Sequence, residues 1–260
     1  MLNKISCVII TFNEEENIRR ALNSVKWFDE IVVVDSGSTD KTIEICEEFN
    51  CRIYNKEFNG YGEQKRYAVS LAGSDWILSI DADEVVSDEL CDEIKNIFYD
   101  KEIKINGFFI PRSLIFLGKH FKYGRESKEY YLRLFNKNYG NFSSDKVHER
   151  VKLNGNTQKL NGTLHHYSYT NIEQYFNKFN SYTSKAAQVL FDEGNKGRSV
   201  VSIVLGFPVY FFKNYFIHRN FLNGTQGFLW ALFSSWYPVV KYAKLWALKH
   251  RENKNHTSIR

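Results

Sequence analysis

The sequence predicts an α/β fold: a doubly wound, mostly parallel sheet followed by a helical, aromatic and basic C-terminal segment. Three observations carry that expectation. Short apolar, β-rich runs alternate with helix-forming stretches through the N-terminal part of the chain. Polar residues collect at the carboxyl ends of those runs, where an open parallel sheet binds its ligands. The C-terminal quarter then changes character in both charge and aromatic content.

Ile5–Phe12 (ISCVIITF) is a continuous apolar run and reads as a buried parallel strand. Asn13 offers an N-cap, with Glu14, Glu15 and Glu16 in the first turn of a helix through about Val25. Glu30–Val34 is a second buried strand, ending at Asp35. The turn Ser36-Gly37-Ser38-Thr39-Asp40 follows, and Thr39 or Asp40 caps a helix through about Asn50. Cys51–Tyr54 is a short third strand, and Gln64–Ala72 reads helical. Trp76–Ile80 (WILSI) is a fourth strand, ending at Asp81-Ala82-Asp83, and a helix spans about Asp88–Tyr99. From Gly107 the pieces shorten to Gly107–Pro111, Tyr130–Phe135 and Val147–Leu153, which predicts a mixed region. Asn171–Glu193 is helical, and Gly194-Asn195-Lys196-Gly197 breaks the chain before the tail.

Residues 196–260 hold 10 Lys and Arg against Glu252 alone, a net charge of +9, whereas residues 1–195 carry a net −4. Fourteen of the 42 aromatics fall between Phe207 and Trp246. A basic segment seeks phosphate, and dense Phe and Trp beside it favour an anionic membrane surface. Nucleic acid is the rival polyanion, but the tail carries no motif for it. The runs Ser199–Phe212 and Gly227–Val240 each contain a proline and are shorter than the roughly 20 residues a spanning helix needs. The tail therefore predicts peripheral contact through residues 198–250. There Phe228, Trp230, Phe233, Trp236, Tyr237, Val240, Leu245 and Trp246 alternate with Lys241, Lys244 and Lys249. Packing of the same helix on the main domain is the alternative. The four cysteines form no CxxC pair and no zinc spacing, and no basic-then-apolar leader opens the chain. A reducing compartment follows, so the expected place is the cytoplasm, on the inner face of the cytoplasmic membrane.

Asp81-Ala82-Asp83 is the centre of the chemistry. Two carboxylates two residues apart at a strand end can both turn toward one divalent cation. Mg²⁺ and Mn²⁺ take oxygen ligands and keep positions open for substrate phosphates. Alone, such a pair is most often a surface turn or a helix cap; its place after the fourth strand of an alternating pattern singles it out.

CVIITFNEEENI, VVVDSGSTDKT, QKRYAVSLAGSDWILSIDADE, RLFNK, VHERV and LHHYSY, in that order, resemble family 2 glycosyltransferases. More narrowly, they look like the bacterial lipopolysaccharide-core β-1,4-glucosyltransferase subfamily, over roughly residues 4–190. The resemblance implies a GT-A fold, a nucleoside-diphosphate sugar donor, usually UDP-linked, and inversion by a single displacement. It also implies a glucosyl group passed to a lipopolysaccharide-core or related glycolipid. Residues 1–105 would be the nucleotide-sugar half, 106–195 the acceptor half, and 196–260 the amphipathic tail.

Carried over residue by residue, Thr11 and Asn13 would lie at the nucleotide, Glu14 at the base or ribose, and Asp35 at the base. Turn capping is the competing role for Asp35 and the preferred one for Asp40. Lys65 matches a basic position near the diphosphate. Arg66 stands where asparagine is expected, which leaves open which of the two reaches the phosphates. Asp81 would touch ribose and metal, and Asp83 would bind Mn²⁺ or Mg²⁺ directly. Glu149 matches the catalytic base, with Asp145 the nearby alternative. His166 or His165 would complete the metal site, and Gly124-Arg125 would belong to an acceptor-side loop. Two rivals remain: a sugar nucleotidyltransferase, for which the loop after the first strand is not glycine-rich, and a non-catalytic membrane-bound nucleotide-binding module.

Overall fold

The computed structural model describes residues 4–99, 103–143 and 149–257. β1 (Ile5–Thr11), β2 (Glu30–Asp35), β3 (Arg52–Asn55) and β4 (Trp76–Asp81) lie in the order β3-β2-β1-β4, all parallel. Their connecting helices are α1 (Ile18–Val25), α2 (Thr42–Glu48), α3 (Tyr61–Leu71) and α4 (Asp88–Phe98). Side chains alternate across a strand, so a run apolar at every position must be covered on both faces. Cys7, Ile9, Val33, Leu78 and Ile80 pack with Ile18 and Leu22 of α1, Ile45 of α2 and Leu90 and Ile94 of α4. Val8, Val32, Val34 and Ile77 face the other way, onto Ala68 and Val69 of α3.

The remaining strands are β5 (Glu84–Val86), β6 (Gly107–Phe116), β7 (Lys119–His120), β8 (Glu129–Asn136), β9 (Gly140–Phe142), β10 (Val151–Leu153), β11 (Thr157–Lys159) and β12 (Leu164–Tyr169). β8 joins β4 antiparallel, and the sheet continues β8-β6-β12-β5. The full sheet is thus mixed: the first four strands form its continuous parallel ladder, and farther on β11 adds a short parallel pairing to β6. Parallel return needs a long crossover, usually a helix, and among the described residues the next α-helix after α4 begins at Ile172.

Two local expectations change. α1 begins at Ile18, not directly after Asn13. Asn13 has φ 52°, the left-handed region that asparagine tolerates, and its Oδ1 accepts the Thr39 amide at 2.8 Å. The intervening residues make a turn in which the amides of Asn17 and Ile18 both donate to the Glu14 carbonyl. α2 begins at Thr42 after an N-cap at Lys41 that has no side-chain cap, and Asp40 Oδ1 accepts from the Thr42 amide and hydroxyl in the turn before the helix.

The chain forms two compact units: Met1–Leu114 with Lys128–Ser168, and Ile115–Ser127 with Tyr169–Arg260. The second holds α5 (Ile172–Asp192), α6 (Val200–Phe212), a π turn over Lys213–Ile217, a 3₁₀ turn over Asn220–Asn223, and α7 (Gly224–Thr257). Asn171 and Ser199 cap α5 and α6 by accepting the amides of Gln174 and Ser202. Lys244 ties α7 to α5 through the Asn180 carbonyl and the hydroxyls of Thr183 and Ser184, each at 2.8 Å. Trp230 and Phe233 sit in an aromatic cluster with Phe116, Phe121 and Tyr175. Leu245 is buried, so these three tail residues have packing roles, whereas Phe228, Trp236 and Trp246 are exposed. Among the described residues no helix is long and apolar enough to cross a membrane.

Candidate functional site

The site is built in the first unit, at the carboxyl end of β4. The chain leaves Asp81, turns at Ala82-Asp83 and re-enters the sheet as β5. Tyr167 donates its amide to the Asp83 carbonyl at 2.8 Å, which pins this turn to β12. Glu84, fully buried, reaches back with Oε2 to accept the Asp81 amide at 2.9 Å.

A chain of alternating charges converges here. Lys65 Nζ lies 2.8 Å from Asp81 Oδ1 and 3.2 Å from Glu149 Oε1. Arg133 Nη2 lies 2.9 Å from Asp81 Oδ2 and 2.8 Å from Glu84 Oε1. Arg112 Nη1 stands 3.4 Å from the same Glu84 oxygen. Lys65 comes from α3, whose Gln64 anchors that helix through hydrogen bonds to Ser36 Oγ and the Lys56 carbonyl. Burial alone would raise the Asp81 carboxyl, but Arg133 and Lys65 outweigh it and hold the group well below the usual carboxylate range. Conversely, burial would lower the Arg133 guanidinium, yet Asp81 and Glu84 keep it firmly protonated.

Asp83 faces a different partner. His166 Nε2 lies 3.2 Å from Asp83 Oδ2, and the Ser168 hydroxyl sits 2.7 Å from His166 Nδ1. His165 and His166 are neighbours on β12, so their rings project to opposite faces; the one that meets Asp83 is His166. Burial holds the His165 imidazole below its usual value, against the pull of Glu89.

The nucleotide-side residues gather at the ends of β1 and β2, where Thr11 pairs with Asp35 across the parallel ladder. The Thr11 hydroxyl is buried and has no hydrogen-bond partner among the described residues. Asp35 is buried and closes the turn after β2: Oδ2 accepts the amides of Gly37 and Ser38 at 2.8 Å, and Oδ1 accepts the Ser38 hydroxyl. Asn13 and Glu14 lock onto the same turn, since the Asn13 amide donates to Ser38 Oγ and the Glu14 amide to Thr42 Oγ1. Arg66 stands on the exposed face of α3, while Lys65 is buried. Asp145 and His148 lie outside the described residues.

Arg133 is the member that sequence reasoning missed. Its signal was a cation within the alternating run Tyr130–Phe135, at a position whose neighbours Leu134 and Phe135 are core residues. A buried cation in a strand needs buried anions, and Asp81 and Glu84 are those anions.

Among the described residues no group of three or more His, Cys, Asp and Glu side chains is assembled to hold a metal. Asp83 with His166 supplies one oxygen and one nitrogen donor at one point. That set suits Mn²⁺ or Mg²⁺ when substrate phosphates and water provide the other ligands. Both Asp81 oxygens already face cations.

The model of Glycosyl transferase family 2 matches residues 6–171. An uncharacterized glycosyltransferase of Rickettsia typhi is 36% identical over 255 residues, covering 94% of this chain and 87% of that protein. The lipopolysaccharide core biosynthesis glycosyltransferase LpsC of Rhizobium meliloti is 28% identical over 259 residues, covering 96% of this chain and 95% of that protein. S. aureus TarS in complex with UDP-GlcNAc is 14% identical at TM-score 0.45 over 91% of this chain and 81% of its own, a likeness too loose to build on.

Proposed function

Because the chain belongs to glycosyl transferase family 2, we propose that it passes glucose from UDP-glucose, with inversion, to a lipopolysaccharide-core or related surface glycolipid. The likeness to LpsC over nearly the whole of both chains supports the acceptor class. The observation that carries the reading is the juxtaposition of Asp83–His166 with the Lys65–Asp81–Arg133 network at the end of β4.

In this reading Thr11, Asn13, Glu14 and Asp35 hold the nucleoside, Lys65 and Asp81 lie toward diphosphate and ribose, and Asp83 and His166 hold Mn²⁺ or Mg²⁺. A cation held there would neutralise charge developing on the leaving diphosphate. Glu149 takes the acceptor hydroxyl's proton as that oxygen bonds to the anomeric carbon and the bond to the diphosphate breaks on the opposite face. Lys65, between Asp81 and Glu149, orients the carboxylate that receives the proton. Residues 1–105 serve the donor and 106–195 the acceptor. Residues 196–260, in contact through 198–250, keep the enzyme peripheral on the inner face of the cytoplasmic membrane.

A melting-temperature panel with UDP, ADP and GDP, each with and without Mn²⁺, tests this. Ligand bound to the native state alone stabilises it by RT ln(1 + [L]/Kd). UDP with Mn²⁺ should raise the midpoint most, and Asp83→Asn should remove the Mn²⁺-dependent part. No shift with any nucleotide overturns the donor assignment. Transfer from radiolabelled UDP-glucose to truncated lipopolysaccharide cores then checks the acceptor class.

A further inference from the structure

α6 has one face inside the second unit and one outside. Inside, Phe207 packs on Trp236 with ring centroids 4.9 Å apart, and Phe211 on Phe228 at 5.8 Å. Outside, Val201, Val204, Leu205, Val209 and Phe212 recur at helical spacing, and Phe216 of the π turn continues the stripe. These six are 48–66% exposed. A helix at a water-facing surface carries polar residues on that side, and here the outer stripe is aliphatic and aromatic.

The surrounding charge identifies the occupant. Lys196 and Arg198 precede the stripe, Lys213 and Arg219 lie at its other end, and all four are exposed. No Asp or Glu occurs between Glu193 and Glu252. A second copy of the chain docking on this face would bring like charges together. An anionic bilayer offers hydrocarbon to the valines and phosphates to the cations at both ends. At about 1.5 Å per residue the stripe from Val201 to Phe216 is roughly 22 Å long, too short to span a core of about 30 Å but suited to lying in its boundary.

We infer that the outer face of α6 is the element that enters an anionic lipid surface, while the tail aromatics Trp230 and Phe233 are internal packing. This rests on the peripheral contact proposed above and assigns it to one helix face. Flotation of the full-length chain with vesicles of phosphatidylethanolamine and phosphatidylglycerol, against pure phosphatidylcholine, is the test. The wild type should float with the anionic vesicles and several-fold less with phosphatidylcholine. Val204→Asp/Val209→Asp should lower the partition coefficient at least about tenfold. Val189→Asp, which puts one such charge at an exposed valine of α5, should change it less than twofold. An unchanged melting temperature certifies the double variant's fold; if it melts early, Val204→Ser/Val209→Ser replaces it, with at least a threefold loss expected. A double variant that floats like wild type overturns the α6 assignment and leaves peripheral contact standing. A wild type that floats with neither vesicle removes both. A wild type that dimerises without vesicles, and loses the dimer on Val204→Asp/Val209→Asp, makes a second copy the occupant instead. UDP binding is read separately, so failure of the donor assignment touches none of these outcomes.

Discussion

Lys65, Glu84 and Arg133 in the first unit are charged and buried; Val201, Val204 and Val209 in the second are apolar and exposed. Each arrangement is costly in isolation, and the two differ in where compensation comes from. The buried charges answer one another: Asp81 and Glu84 each receive Arg133, and Lys65 bridges Asp81 to Glu149. Among the described residues of the second unit the valines have no answering surface on their outer side. Removing a member of the first set should therefore damage the fold or the chemistry, whereas making a member of the second polar should leave folding alone.

The largest expected effect lies where charge is used for chemistry. Glu149→Gln keeps shape and hydrogen-bonding reach but cannot accept a proton, so kcat should fall about 10²–10⁴-fold. The UDP dissociation constant should stay within about twofold, which separates a lost base from a damaged donor site. An activity loss matched by an equal loss of UDP affinity would make Glu149 a partner of Lys65 and nothing more.

Arg133→Met should destabilise by about 3–5 kcal/mol in urea unfolding, because Asp81 and Glu84 lose their shared cation while Glu84 stays buried. Arg133→Lys should recover part of that. The pH dependence has a definite sign. In the wild type Asp81 titrates below the ordinary carboxylate range, so the stability it lends is complete above its unfolded value of about 4 and is lost only as pH falls further. Without Arg133, burial is less opposed, the folded value rises, and acid unfolding of Arg133→Met should begin at higher pH than in the wild type. An acid limb that does not move would mean Lys65 alone controls Asp81.

How much of this was legible beforehand follows from how local each signal is. Three of the four parallel strands stand out because ISCVIIT, EIVVV and WILSI are buried on both faces and carry their pattern unbroken, while the short β3 is half-exposed. Lys65 rested on the family resemblance, with Arg66 left open beside it, whereas Asp81 and Asp83 could be read as strand-end residues because that end follows from the same pattern. The partner of Asp81 could not, since Arg133 lies 52 residues on and only the antiparallel entry of β8 beside β4 brings it there. β5 escaped notice because three residues show no periodicity, and their pairing with β12 is what directs His166 to Asp83. Arg66 and Lys65 are adjacent in sequence and only the rotation of α3 separates buried from exposed. The run Ser199–Phe212, which forms most of α6, is apolar on nearly every side, and composition alone cannot say which of its faces is left outside.

Within the second unit the comparison can be sharpened by contrasting a tight position with an open one. A Cβ added at Gly227 would fall 1.9 Å from the Asn220 carbonyl oxygen, which is backbone and cannot swing away. Gly227→Ala should therefore cost about 1–3 kcal/mol by overpacking. Val204→Ser, on the outer face of α6, should change unfolding free energy by no more than about 0.5 kcal/mol. Comparable losses at the two positions would mean that the α6 stripe is covered within the protein after all.

The smallest effect concerns one hydroxyl. Thr11 ends β1 buried, and among the described residues its Oγ1 meets no donor or acceptor. A buried hydroxyl without a partner is a net cost to the folded chain, and it persists where something else supplies the partner. Thr11→Val replaces that hydroxyl by a methyl group of nearly the same volume. Stability should be unchanged or rise by up to about 1 kcal/mol, because an unsatisfied polar atom has been removed. UDP affinity should weaken by roughly 2–10-fold, the worth of one neutral hydrogen bond. The two readings move in opposite directions, which a purely structural threonine would not produce. Unfolding in urea and titration with UDP in Mn²⁺ give both numbers on one preparation. If Thr11→Val gains stability and binds UDP as tightly as the wild type, the hydroxyl is a packing remnant and the nucleoside lies elsewhere along the ends of β1 and β2. If it loses stability, the hydroxyl already has a partner in solution and is not held open for the donor.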